Sequence, residues 1–178
     1  MNNQKKLTVA IVLLSILLLL VILVTVLALF LRKPTVLPPD YPPQDTDSNM
    51  QPIPGDSGGT IETPEGGGAV NITYADTVTV SLSDRTASLY YANPSRSNQN
   101  VAIAVMIGST VILRSDLITP GNMVTTLPLV EGVEEQLLPG GYQAELIIYC
   151  YHPETGEKAM IDTRGTLTLT VVESKVTQ

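Results

Sequence analysis

Hydrophobic and polar residues follow three different patterns along the chain, and each predicts a different kind of structure. From Leu7 to Leu31 every residue is apolar except Thr8, Ser15 and Thr25. From Pro34 to Ala69 apolar residues are sparse among prolines and glycines. From Val70 to Glu173 apolar and polar residues alternate with a period of two, which marks strands with one buried face. The boundaries predicted are an amino-terminal apolar segment over 1–33, a linker over 34–69 and a folded domain over 70–178.

At about 1.5 Å per residue, a helix over Leu7 to Leu31 reaches roughly 37 Å, enough to cross a hydrocarbon core of about 30 Å with some tilt. The hydroxyls of Thr8, Ser15 and Thr25 can bond back to helical carbonyls. A basic stretch at Lys5-Lys6 precedes both secretory signals and uncleaved anchors. The apolar run is longer than a signal-peptide core, and its small-residue candidate, Val26-Leu27-Ala28, lies inside the run. The expectation is an uncleaved signal anchor that contacts the lipid bilayer through Leu7 to Leu31. Lys5 and Lys6 balance Arg32 and Lys33, but no Lys or Arg lies between Pro34 and Asp84, where acidic residues recur. Cytoplasmic flanks are enriched in basic residues, so the amino terminus is expected in the cytoplasm and the carboxyl-terminal domain outside the cell membrane.

The linker holds Pro34, Pro38, Pro39, Pro42, Pro43, Pro52, Pro54 and Pro64, then Gly55, Gly58, Gly59 and Gly66-Gly67-Gly68. This composition predicts a stiff first half and a flexible second half. At roughly 3.1 Å per residue the segment spans on the order of 100 Å, which suits a spacer through a wall zone as well as an ordinary disordered connector.

Within the folded part, strands are predicted at Thr77 to Ser83, Ala87 to Tyr91, Val101 to Ile107, Val111 to Arg114, Val124 to Leu129, Tyr142 to Tyr151 and Thr166 to Val171. Turn clusters separate them at Asn93-Pro94-Ser95, Gly108-Ser109, Pro120-Gly121-Asn122, Pro139-Gly140-Gly141 and His152 to Gly156. Short strands at regular intervals without a helical run predict a mostly β fold, an immunoglobulin-like antiparallel β-sandwich. By parity Val78, Val80, Leu82, Leu167, Leu169 and Val171 face the core, as do Tyr142, Ala144, Leu146, Ile148 and Cys150. The other face of that long strand carries Ile147, Tyr149 and Tyr151. Either another element covers these three, or they form a candidate interaction patch.

Asn93-Pro94, Ser115-x-Leu117-Ile118-x-Pro120-Gly121, Leu127-Pro128-Leu129, Leu138-Pro139-Gly140-Gly141-Tyr142-x-Ala144-x-Leu146, Tyr149, Thr155-Gly156-Glu157 and Leu167-Thr168-Leu169-Thr170-Val171 are arranged in a familiar order. The chain resembles small membrane-anchored surface proteins of Gram-positive Firmicutes that carry a single immunoglobulin-like domain. The resemblance covers roughly 85 to 173 and the anchor, linker and domain layout. It implies the fold and an extracytoplasmic location, and supplies no catalytic residues. The paired cysteines and core tryptophan of antibody domains are missing.

Chemistry is sparse in the sequence. Cys150 is the sole cysteine, so no internal disulfide forms, and it reads as a small buried hydrophobe. His152 is the sole histidine and lies in a turn with Pro153, Glu154, Gly156 and Glu157, residues that a turn needs without any metal. Glu131, Glu134 and Glu135 lack the ligand spacing of a dedicated calcium loop. No phosphate-binding glycine loop opens a helix. A net charge of −7 leaves the exported part without a basic patch, which argues against nucleic-acid partners. Asn71-Ile72-Thr73 fits a glycosylation acceptor, a short pattern frequent by chance. No catalytic, cofactor-binding or metal-binding residues are expected, and no cofactor. The function expected is a non-catalytic binding module displayed on the cell surface with a protein or surface partner, and the alternative is a structural or accessory subunit of an envelope assembly.

Overall fold

The computed structural model describes residues 11–23, 45–59, 68–160 and 162–173. The chain divides into two compact units, Met1–Leu37 and Pro38–Gln178.

In the first unit residues 11–23 are helical. Ser15 Oγ donates to the Ile11 carbonyl at 3.0 Å, so its hydroxyl is satisfied within the helix. The large apolar side chains are exposed all round the helix, from 50% at Ile22 to 68% at Leu14. Among the described residues no helix is long and apolar enough to cross a membrane. Both ends of the expected span, Leu7 to Ala10 and Val24 to Leu31, lie outside the described residues.

The second unit is a single curled sheet. Its strands are β1 (Gln51–Pro52), β2 (Thr73–Tyr74), β3 (Thr77–Ser81), β4 (Thr86–Asn93), β5 (Asn100–Ile107), β6 (Thr110–Arg114), β7 (Asn122–Pro128), β8 (Gly140–Tyr151) and β9 (Thr163–Val172). All seven strands expected from the alternation are present, from β3 to β9. The order is β1-β7-β4-β3-β9-β8-β5-β6, with β2 also on β4.

β3 makes the curl. It pairs antiparallel with β4 through Thr79↔Ser88 and Ser81↔Thr86, and parallel with β9 through Thr77↔Thr168 and Val80↔Val171. It therefore joins the group β7-β4 to the group β9-β8-β5-β6, and the two groups enclose one core. The expectation of a wholly antiparallel sandwich is corrected at this pairing. First and last core strands run the same way because β3 is reached by no hairpin from β9, so no tight turn forces them to oppose. On the far side Leu113↔Leu129 and Val130 N donating to the Ile112 carbonyl at 3.0 Å tie β6 to the segment after β7.

The core follows the predicted parity: Val78, Val80, Ala87, Ile103, Val105, Leu127, Ala144, Leu146, Ile148, Leu167, Leu169 and Val171 are buried in one cluster. Alternate residues of a pleated strand point to one face, so the inward row of each strand meets the inward rows of the others. Leu82, Tyr142 and Cys150 are partly buried at its margin.

Tyr91 is wholly buried in this core, and its hydroxyl has no hydrogen-bond partner. Burial, with Cys150 nearby as a lesser cause, pushes the phenol far above its ordinary value. An unpaired buried hydroxyl costs about 1–3 kcal/mol. Tyr91→Phe is therefore expected to raise stability by about 1 kcal/mol, read as a higher urea midpoint with an unchanged slope.

The linker expectation over 34–69 is corrected for residues 45–59, which lie on the sheet. Asp47 N donates to the Leu117 carbonyl and Leu117 N to the Asp45 carbonyl, both at 2.9 Å. Gln51 and Pro52 pair with Met123 and Asn122 of β7, and Ile53 N reaches the Gly121 carbonyl at 3.0 Å. Proline content concealed this strand, although an edge strand tolerates proline where no ladder donor is required. The domain boundary at residue 70 also shifts earlier, because the Asn98 amide donates to the Ala69 carbonyl at 3.0 Å.

Candidate functional site

The residues singled out on β8 are not on the surface. Ile147, Tyr149 and Tyr151 are 1%, 0% and 4% exposed, so of the two alternatives cover by another element holds, and the candidate patch is corrected to a second buried layer. Its other members come from β5, where Ala102 stands opposite Tyr149, Ala104 opposite Ile147 and Met106 opposite Glu145. All three β5 residues are also buried. Small alanines beside large side chains let the layer lie close against the strands. Residues 152–160 fold back here: Ala159 N donates to the Cys150 carbonyl at 2.8 Å, and Lys158 bridges to Tyr151. Lys158 Nζ sits 4.8 Å from the Tyr149 ring centroid, a cation–π contact, and also pairs with Asp162 at 3.2 Å.

That returning segment contains His152. Its Nδ1 accepts from the amides of Glu154 at 3.3 Å and Thr155 at 3.2 Å, so the imidazole caps the turn. Two amides of the turn thus share one ring nitrogen, and only Nε2 remains for anything else. Cys150 is half-buried, and burial, followed by the nearby Asp162 carboxylate, pushes its thiol up. A raised thiol holds little thiolate at neutral pH and is a poor nucleophile. Glu134 of the acidic group pairs with Arg85. Among the described residues no three His, Cys, Asp or Glu side chains converge to hold a metal ion.

The surface that is open to solvent is hydroxyl-rich. Thr166, Thr168 and Thr170 of β9 and Thr77 of β3 are exposed, with Thr79 half-buried beside them. Sheet register sets Thr77 and Gln143 on either side of Thr168, and Thr79 beside Thr170. The outward half of the alternation thus forms a continuous polar face, while its inward half fills the core. The sequence shows this face plainly in Thr166-Leu167-Thr168-Leu169-Thr170.

At the opposite edge two carboxylates dock the segment 45–59. Asp47, 7% exposed, accepts from the amides of Asn49 at 2.8 Å and Asp116 at 2.9 Å. Asp56 accepts from the Ser95 amide at 2.7 Å and hydroxyl at 2.5 Å. The Ser95 hydroxyl first, then its amide, hold the Asp56 carboxyl below its ordinary 3.8. A carboxyl lowered in the folded state stabilises at pH above 3.8 and loses that contribution as the pH falls through the folded value. The Ser95 amide proton is therefore expected to titrate with a midpoint below 3.8 in an NMR pH series, and Ser95→Ala to move that midpoint upward. A midpoint at or above 3.8 would contradict the contact.

Neither a family model nor a curated protein sequence matches the chain. Among solved structures it is similar to AggA, the major subunit of aggregative adherence fimbriae type I from Escherichia coli. The match is 14% identical, covers 65% of this chain and 99% of that one, and has a TM-score of 0.33. At that score the likeness bears on neither fold nor function.

Proposed function

We propose that this chain is a single-pass, membrane-anchored protein that displays a non-catalytic, immunoglobulin-like binding module outside the cell. The observation that carries the reading is the helix over residues 11–23, apolar on every side and exposed on every side. A helix of this kind is stable in contact with lipid or inside a large core, and a bilayer is the environment that its neighbours from Leu7 to Leu31 would share. Lys5 and Lys6 precede that run, and after Arg32 and Lys33 no Lys or Arg follows until Arg85, which supports a cytoplasmic amino terminus and an exported domain.

Two features of the second unit support the immunoglobulin-like reading. The groups β7-β4-β3 and β9-β8-β5-β6 have the order of the two sheets of such a sandwich, with the first strand shared between them. Tyr142, near the start of β8, donates its hydroxyl to the Leu138 carbonyl at 2.8 Å and accepts from the Leu138 amide at 3.2 Å. A tyrosine bonded back to the preceding corner is a hallmark of these domains, and two residues later, where antibody domains carry a disulfide cysteine, stands buried Ala144. The threonine face of β3 and β9 is a regular exposed surface that the module offers to a partner. Display is favoured over an assembly subunit that adds a strand to its neighbour, because β1 covers the edge of β7 and the Leu129 segment covers part of β6.

Protease treatment of intact cells carrying the full chain, tagged at each end, tests the proposal. The carboxyl-terminal tag is expected to vanish while the amino-terminal tag survives until lysis, and the protein to stay with membranes after alkaline extraction. Release by alkali, or a carboxyl-terminal tag cleaved only after lysis, would overturn it.

A further inference from the structure

The segment 45–59 joins the anchored part of the chain to the sandwich and is docked almost wholly by polar contacts. β1 contributes two paired residues, both exposed. Its holding points are Asp47 on the Leu117 loop, the Gln51 side chain donating to Thr125 Oγ1 at 2.9 Å, Ile53 N on Gly121, and Asp56 on Ser95. Met50 alone among its side chains packs against the core cluster, and it does so only partly buried. A segment with so little apolar contact opens at a lower free energy than the core strands, which are held by burial. Apart from Met50 the core does not rest on it: β7 has its own pairing with β4, from Thr86↔Pro128 to Asn93↔Asn122, on the side away from β1.

We infer that residues 45–59 are a releasable strap that gives the tether two lengths. This rests on the reading that the chain is anchored through Leu7 to Leu31. With the strap docked, roughly 12 residues of sequence separate Lys33 from Asp45, a contour of about 40 Å at most. With the strap peeled away, the next holding point is Ala69, paired with Asn98, and the contour limit counted from Lys33 rises to about 120 Å. Tension on the domain from a bound partner passes through the strap before it reaches β3, since the strap lies between anchor and sandwich in the chain. Peeling therefore precedes unfolding, and it leaves the sandwich intact at about three times its former reach while uncovering the edge of β7.

Single-molecule stretching of the full chain in detergent micelles, held at its two termini, tests this directly. The wild type is expected to lengthen in two events. A first, reversible step at low force adds up to roughly 80 Å, the contour freed between Asp45 and Ala69, and the sandwich then unfolds at higher force. Asp47→Ala combined with Asp56→Ala is expected to abolish the first step and leave the second where it was. Leu169→Ala, in the core, is expected to lower the second and leave the first. A wild type that lengthens in one event, or a first step that survives the double substitution, would overturn the inference. The outcome is independent of the membrane: if the chain fails the protease test and still shows the early step, the anchor reading falls and the strap stands as a separable element.

Discussion

Replacing Tyr149 with alanine will destabilise the domain by about 3–5 kcal/mol and lower its melting temperature by on the order of 15 °C. The side chain is fully buried on the outer side of β8, packed beside Ala102 and under Lys158. Its removal loses the transfer free energy of a large aromatic ring and leaves a cavity that small alanine neighbours cannot fill. The cation–π contact with Lys158 is a lesser part of the loss. Thr168→Ala, on the exposed face of β9, is the matching control and should change stability by no more than about 0.5 kcal/mol. Chemical denaturation of the two variants checks the pair. Equal, small effects would mean that Tyr149 belongs to a surface and that the second layer does not exist.

Asn93→Ala ranks next, at about 1–3 kcal/mol. Asn93 is fully buried at the end of β4, and its Nδ2 donates to the Gln99 carbonyl at 3.0 Å and the Ile118 carbonyl at 2.9 Å. Its backbone carbonyl accepts from the Gly121 amide at 2.7 Å. One side chain thus ties the β4–β5 turn to the loop before β7. Alanine takes this donor from the Gln99 carbonyl and leaves the Ile118 carbonyl with the Val101 amide at 3.0 Å, and an unsatisfied buried group costs about 1–3 kcal/mol. Asn93→Asp should be at least as damaging, because a carboxylate has no donor and would face two carbonyl oxygens. Equilibrium unfolding in urea measures both, and an alanine variant within about 0.5 kcal/mol of wild type would refute this account of the turn.

The strands were legible because threonine alternates cleanly with valine in β3 and with leucine in β9, and the glycine and proline turns between strands are unambiguous. The second buried layer was present in the sequence but masked by the parity argument. Val101 to Ile107 and Leu146 to Tyr151 are continuous apolar runs, and a run without alternation marks a strand buried on both faces. Reading β8 by alternation alone put Ile147, Tyr149 and Tyr151 outside. The strap was not legible, because composition describes the average behaviour of a segment and Asp47 docks through partners far along the chain, at Asp116 and Leu117. Tyr142 was recognised as the residue that follows a tight turn, whereas its bond back to Leu138 depends on the corner's three-dimensional path.

The parallel pairing of β3 with β9 also governs when the domain can exist. A chain is made from its amino terminus, and β3 is among the first core strands to appear while β9 is the last. Val80, Leu169 and Val171 meet only across that junction, so the halves of the core cannot close on each other until Val172 has emerged. Contacts between such distant parts of a chain form slowly. The core therefore closes only after nearly the whole domain has been made, and no amino-terminal fragment that stops short of β9 can complete it.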